Sequence, residues 1–386
     1  MKGRFKFVLA AFIAVASQSW AAVTDGDLRT AAAADLALAI DLYPRLRSGD
    51  QNLVFSTPGL TTLLALVGTG ARGRTRADLC HLLHVAGASP ETLEAFGSWR
   101  IWFGQNPGDG NQLEWTTTIS VGRETGGIFP AFLADAQTNF GAQLASASSL
   151  DPPDGIVLKN HIHFFGHWEA HFETADTTSE KFYLRGSRPV RRPFMHRIAD
   201  FRVFHTDHRW IGSPHGVTLL ELPYRGQVFS MIVILPDDSG GLRKAEDSLS
   251  LAGFEKWMAE LGQAETIPVS LSFPRFEAHS DEGLMSSLVA LGLGVADMKS
   301  EADFSGLSPV RAYIADVGQK AEITADEEGT TATADTGVTV LAPLGIERGS
   351  KPEPEVITVD HPFLYVIRDN LTGAPLFFGR ICDPAN

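Results

Sequence analysis

Hydrophobic and polar positions alternate over much of the second half of the chain, and one alternating tract lies where a loop is expected. Tyr313–Thr324 reads as a strand, and the next apolar strand begins only at Pro362–Ile367. Between them lies Asp326–Ser350, DEEGTTATADTGVTVLAPLGIERGS. Connections longer than about 12–15 residues without structure of their own are uncommon in compact domains and are usually functional or disordered. The composition is that of a solvated linker. Its parity is not. Past Gly329, one parity holds Thr330, Ala332, Ala334, Thr336, Val338 and Val340, small and increasingly apolar; the other holds Thr331, Thr333, Asp335, Gly337, Thr339 and Leu341, with the only charge. Period-2 alternation with β-branched Thr and Val predicts a strand with one buried face. A slip of one residue would turn Asp335 inward, so the register is specified. The tract reads as a strand exposed now and able to join a sheet later.

Elsewhere, Asp27–Leu46 carries an Ala/Leu-rich helical pattern, Leu60–Gly68 an apolar helix ending at a glycine cluster, and Thr75–Val85 a further helix. Ala86–Trp115 is rich in Gly, Asn and Pro and gives no clear period. Gly216–Asp237 reads as a hairpin of two apolar strands turned at Tyr224–Gln227. In Ile156–Phe172, Val157, Lys159, His161 and His163 share one face.

Met1–Ala22 has the form of a secretory leader, with Lys2, Arg4 and Lys6, then apolar Phe7–Ala16, then a small-x-small site at Ser19-Trp20-Ala21. Its apolar run is too short to span a membrane. The expected organisation is a leader over 1–21 and one domain over 22–386, because no linker or charge block interrupts Asp27–Ser308. The expected location is outside the cytoplasm, extracellular or periplasmic. The chain has 386 residues, 44% hydrophobic and 20% charged, an ordinary soluble composition. Its formal charge of −14 becomes −17 when the three basic residues of the leader are removed. Such acidity argues against nucleic acid or an anionic membrane as partner. Cys80 and Cys382 are too few for a disulfide scaffold and read as small buried residues, with export leaving a bond between them open.

No Gly-x-Ser-x-Gly elbow, Ser-x-x-Lys, His-Glu-x-x-His or phosphate-cradling loop is present, so no enzyme activity or cofactor is expected. His161, His163, His167 and His171 match no metal-ligand spacing, and no metal is expected.

Several separated segments resemble the serpins, a family of serine-protease inhibitors, here expected to be of an exported, bacterial type. Asn52-Leu53-Val54-Phe55-Ser56 resembles the family's entry to a buried helix, although Thr57 stands where Pro and Gly59 where a second Ser is usual. Asn160, Phe164, Gly166 and Trp168 fall in register with a family strand, and Phe194-Met195-His196 with another. Glu221, Leu222, Pro223, Tyr224, Gly226, Ser230, Met231, Leu235 and Pro236 match a third segment. Ile267–Phe276, Leu284–Gly292, the turn Ala302-Asp303-Phe304-Ser305-Gly306, and Asp360-His361-Pro362-Phe363 with Phe378-Gly379-Arg380 complete the likeness over about residues 30–384. The parity tract is similar to the family's hinge and reactive-centre loop.

The resemblance implies a mixed α+β fold, about eight or nine helices around three β-sheets, with an exposed loop at about 327–355. It implies a monomeric suicide-substrate inhibitor: a protease cleaves the loop, forms an acyl-enzyme, and is trapped when the freed loop enters the main sheet. Hinge residues would be Glu327, Gly329, Thr330, Ala332 and Ala334. Trp168 and Arg275, the latter pairing with Glu327, would lie where the sheet opens, with Asn160, Ser56 and Gln319 beneath; Gln319 stands where a histidine is frequent. Counting along the hinge lands on Pro343, which favours cleavage at Leu344-Gly345, then Leu341-Ala342, with Arg348-Gly349 third. Chymotrypsin-, elastase- or subtilisin-like serine proteases are the expected partners, with cysteine proteases a second class. Arg100 is the only basic residue where some relatives carry a cofactor-binding cluster, so no heparin response is expected. The alternative is a non-inhibitory carrier or chaperone of the same family.

Overall fold

The computed structural model describes residues 25–87, 89–105, 110–122, 127–145, 155–185, 188–206, 216–330 and 353–385. Residues 1–21, read above as a leader, and Ala332, Ala334, Leu341, Ala342, Pro343, Leu344, Gly345 and Arg348 lie outside them. Among the described residues there are eight α-helices: α1 (Asp25–Leu46), α2 (Thr57–Gly70), α3 (Gly73–Leu82), α4 (Pro90–Gln105), α5 (Pro130–Phe140), α6 (Leu242–Ser248), α7 (Leu251–Gln263) and α8 (Met285–Ala290). Helix α2 is buried along almost its whole length. It begins three residues earlier than its apolar run, because Pro58 occupies the first turn, where a missing N–H costs nothing.

A six-stranded sheet runs in the order β10 (Phe276–Gly283), β11 (Tyr313–Ala325), β12 (Gly329–Thr330), β4 (Gly155–His167), β2 (Gln112–Val121) and β3 (Ala142–Ala145). Strands β4 and β11 both alternate between buried and more open positions, as a sheet with one covered face requires. A second network joins β1 (Leu53–Phe55), β15 (Pro375–Ile381), β14 (Phe363–Asp369), β8 (Phe229–Pro236), β7 (Val217–Pro223), β6 (Val190–His205), β9 (Thr266–Pro274) and β13 (Glu355–Thr358), with β5 (Thr178–Phe182) on β6. Two of the three expected sheets are thus one hydrogen-bonded network. The 16-residue β6 pairs with β9 along Phe194–Arg202 and with β7 along Arg202–His205, so it belongs to both.

The turn of the expected hairpin lies at Arg225–Gln227, where Gly226 has φ 74°. Glycine enters this left-handed region without the steric cost that other side chains meet. Two buried clusters, one around α1, α2 and α4 and one beneath the second network, form the core.

Candidate functional site

The site is the seam between β4 and β11. These strands run parallel and are laddered from Tyr313 opposite Gly155 up to Lys320 opposite His161. At their far end β12 takes over: Gly329 lies opposite His167 and Thr330 opposite Gly166, while Thr330 also pairs with Ala325. Gly329 and Thr330, the residue before the parity tract and its first residue, are therefore already laid between the two strands. Both are buried.

The hairpin that turns the chain back is tied at each residue. Asp326 N–H donates to Gly329 O (2.8 Å), and Asp326 Oδ1 accepts from the N–H groups of Glu328 and Gly329 (3.0 and 3.2 Å). Trp168 N–H donates to Glu328 O (3.0 Å), Phe172 N–H to Glu327 O (3.0 Å), and the indole of Trp168 to Asp326 O (2.8 Å). Burial raises the Asp326 carboxyl above its ordinary pKa, which its N–H donors only partly offset.

Glu327 is buried and accepts from Arg275 Nε at 2.8 Å, from the second Arg275 nitrogen, and from the Thr177 hydroxyl. Burial favours its protonated form, but these donors outweigh it and hold the carboxyl below the usual glutamate range. Thr330 is 1% exposed, and its hydroxyl lies 2.7 Å from that of Tyr224. Tyr224 stacks on Trp168 with ring centroids 4.7 Å apart and 11° between planes, and meets Phe164 edge-on at 4.9 Å. Glycine is obligatory at two contacts. A Cβ at Gly329 would lie 1.8 Å from the carbonyl oxygen of Gly166, and one at Gly166 would lie 2.6 Å from the rings of Phe164 and Tyr224.

Below this hairpin, Gln319 and the backbone of Ser56 bond reciprocally. Ser56 N–H donates to Gln319 Oε1 (2.8 Å), and Gln319 Nε2 donates to Ser56 O. Asn160 donates to Thr116 O (3.2 Å), and its other face packs on Gly59, where a Cβ would fall 1.8 Å from Asn160 Oδ1. Among the described residues, Ser56 Oγ and Asn160 Oδ1 are buried without hydrogen-bond partners. Under this layer, Asp35 is fully buried and accepts from the hydroxyls of Thr57 and Thr61, each at 2.8 Å. Burial pushes its pKa well above the ordinary value, against both hydroxyls.

The structure thus brings Glu327, Gly329, Thr330, Trp168 and Arg275 into one cluster and Ser56, Asn160 and Gln319 into a second below it. Sequence reasoning missed Thr177, Asp326 and Asp35, and read Tyr224 as core only. The signal for Tyr224 was weak: a hydroxyl on an otherwise apolar hairpin needs a buried partner.

On the open face of the same sheet, cross-strand Gly283 and Gly318 leave a hollow of about 380 Å³, walled by Lys159, His161, Asp281, Asp316 and Lys320. Lys320 Nζ lies 2.9 Å from Asp281, both well exposed. Among the described residues no group of three His, Cys, Asp or Glu side chains could hold a metal ion, and no helix is long and apolar enough to cross a membrane. Cys80 and Cys382 are buried and free. Among the described residues there is a Ser–His–acid chain: Ser272 Oγ is 3.0 Å from His196 Nδ1, and His196 Nε2 is 3.0 Å from Glu180. Ser272 sits in mid-strand, laddered to β6 and β13. Backbone N–H groups in such a ladder serve the sheet and do not converge on an oxyanion.

The fold and sequence define the class: this chain belongs to the serpin family, whose description, "Serpin (serine protease inhibitor)", matches over residues 33–153 and 142–384. Among particular relatives, the leukocyte elastase inhibitor A of Mus musculus is 30% identical over 396 residues, covering 91% of this chain and 98% of that protein. Serpin B10 of Homo sapiens is 27% identical, covering 90% and 97%. These relatives are mammalian and lend no support to the expectation of a bacterial type. Human thyroxine-binding globulin, solved in complex with thyroxine, shares the fold with a TM-score of 0.78 at 21% identity, covering 93% of this chain and 100% of its own. A structure described as a tumour suppressing serpin matches with a TM-score of 0.79 at 22% identity, covering 92% and 100%.

Proposed function

We propose that this protein inhibits serine proteases as a suicide substrate. The observation that carries the reading is the seating of Gly329 and Thr330 between β4 and β11, with small, uncharged Ala332 and Ala334 next at the same parity as Thr330. The protease supplies the catalysis. Its serine attacks the carbonyl of a loop residue, the peptide bond breaks, and an acyl-enzyme ester joins the two proteins. The freed strand then enters the seam behind Thr330. Each new rung contributes about 1 kcal/mol net, so about a dozen rival the stability of an ordinary domain, about 5–15 kcal/mol. The uncut state is then a kinetic trap.

In this reading Glu327, Arg275 and Trp168 hold the hinge, and Ser56, Asn160 and Gln319 hold the seam closed below it. Leu344-Gly345 is the first choice for the cut bond, with Leu341-Ala342 and Arg348-Gly349 after it. The likeness to leukocyte elastase inhibitors supports an elastase-like target. The leader pattern supports export, with residues 22–386 acting as one monomeric domain.

Incubation with a panel of proteases, followed by a denaturing gel, tests the reading. A covalent complex and a released C-terminal fragment whose mass identifies the cut bond are expected. Clean cleavage at the loop without any complex would instead favour the carrier alternative.

A further inference from the structure

We infer that Asp335 has a prepared receiving site on the open face of the sheet, formed by Lys320 and His161 with Lys159 beside them, and that this site helps the cut loop pass the first rung it must break. The inference rests on the insertion reading above and deepens it. Register carries it. Thr330 lies opposite Gly166 on β4 and Ala325 on β11, and each step forward along an entering strand moves one step back along both neighbours. Ala332 then falls between Phe164 and Ile323, and Ala334 between Ile162 and Ala321, all four buried. Asp335 falls between His161 and Lys320. That pair is the last rung of the existing β4–β11 ladder.

The two alanines therefore enter a stretch where, among the described residues, β4 and β11 are not laddered to each other. Asp335 arrives at the place where the strands must first be separated. Its parity puts it on the open face, where His161 and Lys320 are exposed. Directly opposed residues on neighbouring strands share a face at about 4.5–5.5 Å between Cβ atoms, and diagonal ones lie within reach of long side chains. Lys159 is such a diagonal neighbour, and it is exposed on the same face.

The surrounding charges decide whether a carboxylate is welcome. Lys159, His161 and His163 come from β4, Lys320, Asp316 and Glu322 from β11, Asp281 from β10 and Glu114 from β2. Asp281 already engages Lys320. Asp335 would share that ammonium and pair with Lys159, which has no ion pair among the described residues. The glycine-floored hollow gives these side chains room to turn toward it. Glycine at 337, next to Lys159 and Gly318 in this register, keeps the hollow open. The one charged residue among 330–341 thus meets the lysines that flank the first closed rung.

A charge-swap cycle tests this on the full-length protein. Asp335→Lys, Lys320→Glu and the double variant are each compared with wild type. Two readouts are taken: the moles of inhibitor consumed per mole of protease trapped, and the gain in melting temperature when the loop is nicked. Each single variant is expected to raise the inhibitor consumed roughly two- to five-fold, the range of an exposed ion pair, and to reduce the gain on nicking. The double variant is expected to recover most of both, and high salt to shrink the differences. Singles that behave as wild type, or a double variant no better than their sum, overturn the receiving site while leaving the inhibitor reading intact. A wild-type protein whose melting temperature does not rise on nicking overturns both.

Discussion

The hydroxyls of Tyr224 and Thr330 lie 2.7 Å apart in a site where neither residue is more than 1% exposed. Tyr224 reaches this point from the end of a hairpin in the second strand network, and Thr330 from the start of the loop. The bond therefore couples the Asp326–Thr330 hairpin to a part of the fold remote from it in sequence. Burial raises the Tyr224 pKa, so the phenol stays protonated and able to donate throughout the working range of pH.

Removing the phenol oxygen strands the partner. Tyr224→Phe leaves the Thr330 hydroxyl buried without its mate, which costs about 1–3 kcal/mol. A lower midpoint in urea unfolding and faster proteolysis at the hinge are the expected results.

Thr330→Arg asks a charged side chain to occupy the same buried position, which is not tolerated without a partner. The hinge is expected to leave the sheet. On a denaturing gel the variant should be cut by the protease with little covalent complex, and nicking should no longer raise its melting temperature. Unimpaired trapping by this variant would contradict insertion.

Glu327 gives the same hairpin an acid limit. Its folded pKa lies below the unfolded value of about 4.3, so the stability gained from Arg275 and Thr177 is present above about pH 4.3 and lost as pH falls through the folded pKa. Melting temperatures recorded between about pH 3 and 7 are expected to fall more steeply on acidification for wild type than for Glu327→Gln.

Asp35 acts with the opposite sign. Its folded pKa is raised, so its favourable contribution is complete below the unfolded value of about 3.9 and is lost as pH rises through the folded value. Asp35→Asn keeps an amide oxygen for Thr57 or Thr61 and removes the ionisation. The variant is expected to be more stable than wild type at neutral and alkaline pH, with the difference narrowing toward pH 4 in denaturant titrations.

Gly59 and Asn160 offer a packing test. Gly59→Ala places a methyl group where Asn160 Oδ1 now stands, and forcing extra atoms into a packed site costs about 1–3 kcal/mol. Reduced stability in urea is expected, with recovery when Asn160 is shortened to Ala in the same chain.

Legibility in the sequence followed the strength of the local signal. The β7–β8 hairpin and strands β4, β11 and β14 were readable because long apolar or alternating runs leave little choice of period. β10 was not, since Phe276–Gly283 is mostly polar and holds its place by pairing with β11 along its whole length. β13 escaped because four residues, Glu355–Thr358, are too few to show a period, and their order comes from parallel pairing with β9. Helix α4 was hidden among Gly, Asn and Pro residues and is positioned by packing on α1 and α2. At the site, Glu327 with Arg275 was found through family likeness. Thr177 and Asp326 carry no pattern at all: their roles come from where distant strands bring them.

The reciprocal bonds between Gln319 and Ser56 have one more consequence. A carboxamide neither gains nor loses a proton in mildly acidic or mildly alkaline fluid, whereas an imidazole titrates there. The clasp across α2 and β11 is therefore indifferent to such surroundings, and acidification to pH 6 leaves its grip unchanged.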